Sequence, residues 1–412
     1  MTFEPRISSV PTAYVLPSGL KLVCVNSLTR AEYFGVAVDA GSRDEADGEF
    51  GLAHFVEHTI FKGTAHRRAC HIINRMESVG GELNAFTSKE ETYVYTLFPN
   101  GNLARAAELL ADLCIHSVFP AAELNKEREV VKDEIDSYLD TPSESVYDDF
   151  EDCFFSGSQL GHNILGAPES VSRLDSGMCR NWLSRNYTAK RMTLFYLGPE
   201  TPQRVLRMAE KHFGGIEPGP DPQRVMPVPV APFELRREAP SHQANTIIGA
   251  RIGGVYAPDI YATRLLINIL GGPCMNSRLN LALRERRGLV YAVEASATTF
   301  SDTGLFTVYF GCDPEDNGRC LDLVRRELHK IATEPLTDRA LEAAKTQFLG
   351  QTAIGSENIE QSAMSAARAM MYYGKITPRD EIERRIRAVT ADDILRVAQL
   401  VTPDKCSSLT LG

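Results

Sequence analysis

The sequence predicts an α+β fold of two duplicated domains, each a mostly antiparallel sheet packed with helices. Three observations predict it. Short alternating or β-branched runs are interleaved with longer helical patterns. A stretch crowded with proline and glycine falls near the middle of the chain. The order of elements before that stretch recurs after it, at a period of about 210 residues. A chain of 412 residues is also too long for one ordinary core.

Taken in order, Thr12–Val25 reads as a strand hairpin turning at Pro17-Ser18-Gly19. A third strand follows at Phe34–Asp39, and Gly41–Glu45 turns into a helix carrying His54, Glu57 and His58. A helix over 70–79 ends in Gly80-Gly81, a helix-stop signal. The segment Glu82–Phe86 and the alternating strand Thr92–Phe98 come next, then long helices over 103–116 and 121–139. A helix over 177–186 leads to the strand Met192–Gly198 and a closing helix, Pro202–His212. The proline- and glycine-rich run then reads as a linker, giving domains at 1–216 and 234–412 joined by 217–233. In the second half, Thr246–Ile252 parallels the strand at 34–39, Tyr261–Leu270 parallels the histidine-bearing helix, and Gly304–Gly311 parallels 92–98. The final Ser407–Gly412 resembles Met192–Gly198. Because Tyr261–Leu270 contains neither histidine nor glutamate, metal chemistry is expected in the first half alone.

Composition narrows the function classes. Hydrophobic residues at 43% and charged residues at 24% describe a globular protein, and a formal net charge of −10 argues against nucleic acid as partner. The nine cysteines are scattered without a Cys-x-x-Cys pair, which points to reduced thiols and a cytoplasmic location. The start, Met1–Ser9, lacks a basic segment followed by an apolar one, so no signal peptide is expected. No apolar run approaches the roughly 20 residues that cross a bilayer, so no membrane association is expected.

The chemistry lies in His54-x-x-Glu57-His58. Residues at i and i+4 of a helix share a face, so both imidazoles project together and Glu57 stands beside them. Two imidazoles and a carboxylate supply two zinc ligands and a base for the metal's water, in the inverted order of the commoner zinc-protease motif. Catalytic zinc needs a third ligand. Glu127, Val131 and Glu134 form one helical stripe, an odd pattern for a solvated face but a fitting one for a metal. That stripe offers Glu134 as ligand and Glu127 as the partner that orients a histidine. Beyond Glu134, the acidic stretch Asp133–Asp152 reads as a solvated face. The histidines at 66, 71, 116, 162, 212, 242 and 329 have no paired spacing suited to a metal.

His54-x-x-Glu57-His58 followed by Glu134 within Glu127-Arg-Glu-Val-Val-x-x-Glu134 resembles the M16 metallopeptidases, the pitrilysin, insulin-degrading enzyme and mitochondrial processing peptidase family. The resemblance implies one zinc per subunit held by His54, His58 and Glu134, with Glu57 as general base and Glu127 in support. Gly80-Gly-x-x-Asn84-Ala85-x-Thr87-Ser88-x-Glu90-x-Thr92 resembles the family's edge strand, where the backbone at Asn84 and Ala85 pairs with substrate. Leu283-Arg284-Glu285-x-x-Gly288-Leu289-x-Tyr291 resembles the segment whose arginine and tyrosine, here Arg284 and Tyr291, hold substrate. Without the resemblance, Asn84 reads as a turn residue, Arg284 as an exposed helix end and Tyr291 as core. The implied protein is a zinc endopeptidase cleaving extended or unfolded peptides inside a clamshell of four such domains. Two domains per chain then imply a homodimer, or a heterodimer with a related subunit. The competing reading is a non-catalytic or hetero-oligomeric peptide-binding subunit of the same kind of complex.

Overall fold

The computed structural model describes residues 11–412, and the N-terminal stretch examined for a signal peptide lies outside them. These residues form two units. Unit 1 takes the chain through Ile135, then 162–225 and 355–378; unit 2 takes 136–161, 226–354 and 379–412. The break in the middle of the chain, after Val225, falls inside the segment 217–233. Just before it, Arg224 is anchored in unit 1, donating to Asp39 and Asp44 at 2.8 Å each.

Unit 1 opens with β1 (Thr12–Val15), β2 (Lys21–Asn26) and β3 (Ala31–Val38). Helices α1 (Leu52–Thr59) and α2 (Ala69–Glu77) precede β4 (Glu82–Thr87) and β5 (Thr92–Pro99). Then come α3 (Leu103–His116) and α4 (Ala121–Leu139), whose last turn enters unit 2, where α5 (Pro142–Phe154) follows. Back in unit 1 lie α6 (Pro168–Val171), α7 (Ser176–Asn186), β6 (Met192–Gly198) and α8 (Pro202–Phe213). The strand order is β1-β2-β6-β3-β5-β4, antiparallel except for the parallel pair β2 and β6.

Unit 2 continues with β7 (Glu234–Arg237), β8 (Ala244–Ile252), α9 (Ile260–Gly271), β9 (Val290–Thr299) and β10 (Gly304–Cys312). The helices α10 (Asn317–Thr333) and α11 (Asp338–Gly355) precede α12 (Ile359–Tyr373), which belongs to unit 1. Unit 2 closes with α13 (Arg379–Ala388), α14 (Ala391–Ala398) and β11 (Ser407–Leu411). Its order, β7-β11-β8-β10-β9, repeats β2-β6-β3-β5-β4 strand for strand, including the parallel first pair. The duplication read from the sequence is therefore a duplication of topology.

Both faces of each sheet are covered, which is why β6 and β11 are buried along their whole length. Successive side chains of a strand point to opposite faces. On one face of the first sheet Leu22, Cys24, Leu194 and Tyr196 pack with α1, α3, α7 and α8. On the other, Val23, Val25, Phe195 and Leu197 meet Ala363, Ala367, Met370 and Met371 of α12. The second sheet follows suit: Ile248, Ala250 and Phe306 pack with α9, α10 and α14, while Ile247, Leu305 and Leu409 meet Val146, Phe150 and Phe154 of α5. This corrects the expectation for 133–152. The acidic residues Glu144, Asp148, Asp149, Glu151 and Asp152 line one side of α5, and its i, i+4, i+8 stripe of Val146, Phe150 and Phe154 is core.

Candidate active site

Helix α1 sets the geometry. It begins at Gly51, whose φ of 93° and lack of room for a Cβ, 2.7 Å from the Leu165 carbonyl oxygen, both require glycine. The first amides of a helix have no partner within it. Here Gly51 N and Ala53 N donate to the two carboxylate oxygens of Glu45, at 3.0 and 2.7 Å. Glu45 is buried, and burial pushes its carboxyl pKa upward against the opposing pull of His162 and the two amides. His162 Nε2 lies 3.0 Å from that carboxylate, and its ring stacks on Phe50. Along α1, Leu52, Phe55 and Val56 enter the core. At 100° per residue, that register turns positions 54, 57 and 58 together to the opposite side.

The three polar residues do converge: one ligand-type atom from each of His54, Glu57 and His58 lies within 4.8 Å of the others. The imidazoles meet edge to face, with centroids 4.5 Å apart. Helix α4 brings its stripe to the same place because Leu124, Val131 and Ile135 bury its apolar side. Glu134 Oε2 stands 3.7 Å from His54 Nε2 and 3.4 Å from His58 Nε2. Those separations exceed a hydrogen bond. They match the spacing of about 3.3 Å between atoms held about 2.0–2.1 Å from a tetrahedral zinc. On its far side, His58 Nδ1 lies 3.1 Å from Glu127 Oε1, and Lys62 Nζ holds Glu127 Oε2 at 2.7 Å. A carboxylate there fixes the tautomer that leaves Nε2 free for a metal.

Electrostatics favour the same forms. Burial, aided by His58, lowers the His54 pKa to about 3 and keeps that imidazole neutral, the ligand form. Its Nδ1 is buried without a hydrogen-bond partner among the described residues. Burial raises the Glu57 carboxyl above the ordinary range; Thr87 and His58 oppose the rise, and Glu134 adds to it. The donor set fits one divalent ion of the zinc type.

Helix α1 packs against β4, the edge strand that ends at Thr87. Asn84 and Ala85 lie in β4, paired with Tyr95 and Val94 of β5, and the strand's other edge is unpaired among the described residues. Asn84 is exposed in the strand, so it is not a turn residue. Arg284 and Tyr291 lie in unit 2, and both are exposed. Tyr291 is thus not core; it sits at the start of the edge strand β9 and donates to Asp313 at 2.8 Å.

The sequence reading missed Glu45, His162 and Lys62. Lys62 follows His58 at i+4, on the stripe of the two histidines, which was the available signal. Glu45 and His162 are 117 positions apart, and no local pattern links them.

Two family models match the chain. The insulinase (peptidase family M16) model covers residues 22–168, and the model for the peptidase M16 inactive domain covers 175–348. An uncharacterized zinc protease of Streptomyces coelicolor is 31% identical, over 96% of this chain and 88% of its own length. One from Bacillus subtilis is 30% identical, over 96% and 97%. Among solved structures, a peptidase M16 inactive domain from Pseudomonas fluorescens superposes with a TM-score of 0.91 at 18% identity, covering 98% of both chains. A protease from Helicobacter pylori gives 0.88 at 20%, covering 98% of this chain and 99% of its own. At these identities the two structures speak for the fold.

Proposed function

This chain belongs to the M16 peptidase family, and from that premise we propose that it is a zinc-dependent endopeptidase acting on extended or unfolded peptides. The observation that carries the reading is the meeting of His54 Nε2 and His58 Nε2 on one oxygen of Glu134, at ligand spacing, with Glu127 behind His58. His54, His58 and Glu134 hold the ion. Zinc, when bound, supplies Lewis acidity that polarises the scissile carbonyl and acidifies water. Glu57 takes a proton from the attacking water as its oxygen bonds to the carbonyl carbon. It returns that proton to the leaving amine as the C–N bond breaks. Glu127 and Lys62 keep the His58 ring in register. Substrate adds as a strand along the outer edge of β4 beside Asn84 and Ala85, where unpaired backbone groups await a partner.

Two chains form a homodimeric chamber in which Arg284 and Tyr291 of one subunit complete the site of the other. Glu57→Gln is expected to retain zinc and peptide yet lose roughly 100- to 10,000-fold in kcat on a fluorogenic peptide. Turnover within a few-fold of wild type would sink the assignment. For the shared site, mixing Glu57→Gln chains with Arg284→Ala chains is expected to restore activity. No rescue in verified mixed dimers counts against it.

A further inference from the structure

A second group of side chains of metal-ligating type lies in unit 1, and it includes His66 and His116, two histidines whose sequence spacing does not suggest a metal. His66, Asp112 and His116 bring their ligand atoms within 4.8 Å of one another. Asp112 and His116 are one turn apart on α3, and His66 reaches them from the loop between α1 and α2.

The two oxygens of Asp112 divide their partners. Oδ2 accepts from Thr64 Oγ1 at 2.8 Å and Arg67 Nη1 at 2.5 Å, and so is fully occupied. Oδ1 faces the two imidazoles, 2.6 Å from His66 Nδ1 and 3.2 Å from His116 Nδ1. The rings meet edge to face, with centroids 4.7 Å apart. Asp112 is buried and fixed by Thr64 and Arg67, whereas the side chains of both histidines are exposed. A carboxylate rigidly held through one oxygen, with two imidazole nitrogens on the other, is the supported donor arrangement of a metal site. Opening the His66 contact to the ligand spacing of about 3.3 Å takes a small rotation of an exposed ring.

We propose that His66, Asp112 and His116 bind one exchangeable divalent transition-metal ion, separate from the candidate catalytic ion. Two imidazoles and a carboxylate select zinc, copper or nickel over magnesium or calcium. The exposed side of the cluster leaves a position for water. The ion ties the loop at His66 to α3. The same loop carries Lys62, which holds Glu127.

The test compares zinc content after chelation and dialysis against zinc, in untagged full-length chains. Wild type is expected to bind two ions, His66→Gln/His116→Gln one, and His54→Gln/His58→Gln one. Equal content in wild type and His66→Gln/His116→Gln overturns the proposal. Equal content in wild type and His54→Gln/His58→Gln overturns the catalytic-site reading instead, so the two failures are separable. A copper(II) EPR spectrum of His54→Gln/His58→Gln, in which the second cluster is untouched, is expected to show coupling to two imidazole nitrogens. A spectrum without that coupling also overturns the proposal.

Discussion

The two units share a sheet order, but among the described residues the candidate His54-Glu57-His58 site lies in unit 1 alone. In register terms Gly35 pairs with Phe195 in the first sheet and Gly249 with Ser407 in the second, each on the central strand of the repeated order. The helix that follows that strand carries His54, Glu57 and His58 in unit 1, while α9 carries no histidine or acidic residue. Its core stripe survives: Leu52, Phe55 and Val56 on α1 have their counterparts in Ala262, Leu265 and Leu266 on α9. The apolar face of the helix builds the fold, and the opposite face is free to carry a metal site or nothing. That separation lets one copy present a candidate metal site and the other none on the same architecture.

A second comparison concerns the outer helices, α12 on the first sheet and α5 on the second. Each meets its sheet beside a glycine. A Cβ at Gly35 would stand 2.1 Å from the Phe195 ring, and one at Gly249 would stand 2.8 Å from the Phe150 ring. If the helices play equal parts, truncating their central side chains should cost alike. Phe150→Ala is expected to lose roughly 3–5 kcal/mol and Met370→Ala roughly 2–5 kcal/mol, read from urea unfolding. A loss below about 1 kcal/mol at either site would show that its helix is not part of the core.

These outer helices are also where the sequence was hardest to read. Strands and inner helices announced themselves through alternation and through apolar residues at helical spacing, and His54-x-x-Glu57-His58 was legible because its spacing is local; Glu134, on another helix, stood out only through its own stripe with Glu127 and Val131 and through the family resemblance. The stripe of Val146, Phe150 and Phe154 was masked by neighbouring acids, since charge density hides an apolar face only three side chains wide. The exchange of segments between units was illegible for a different reason: covering a sheet's second face is a tertiary event with no local signature. His66 and His116, 50 positions apart, meet only because the loop before α2 folds back onto α3.

The site itself offers a finer test of the asymmetry. Glu127 stands between His58 and Lys62, so its removal is expected to act first on metal affinity. Glu127→Ala is expected to weaken zinc binding roughly 10- to 100-fold in chelator competition. Lys62→Met, which leaves the carboxylate on His58, should weaken it less. A Glu127→Ala affinity within twofold of wild type would mean that His58 is oriented by packing alone.

The smallest expected effect comes from a joint that both units share. Glu32 and Thr246 stand at matching positions, three residues before Gly35 and Gly249. Each ties its strand to the start of the helix after the next hairpin. Gly101 N donates to Glu32 at 2.7 Å, next to α3, while Asn317 Nδ2 donates to Thr246 at the start of α10. In unit 1 the joint is acidic, and Tyr196 also donates to Glu32. Burial raises the Glu32 pKa above the ordinary value; the Tyr196 and Gly101 bonds oppose the rise, and Glu200 adds to it. A carboxyl raised in the folded state binds protons more readily there than in the unfolded chain. Its stabilising contribution is therefore present below the ordinary glutamate pKa and is lost as pH rises through the folded value. Glu32→Gln keeps the shape of the protonated acid and removes the titration. Melting temperatures of wild type and Glu32→Gln are expected to converge near pH 4 and to separate as pH rises, with wild type the lower by pH 7. At the neutral joint, the difference between wild type and Thr246→Ser should stay flat over the same range. A Glu32→Gln difference equally flat would mean that the acid keeps its charge on folding at no cost, and that the two joints are electrostatically alike.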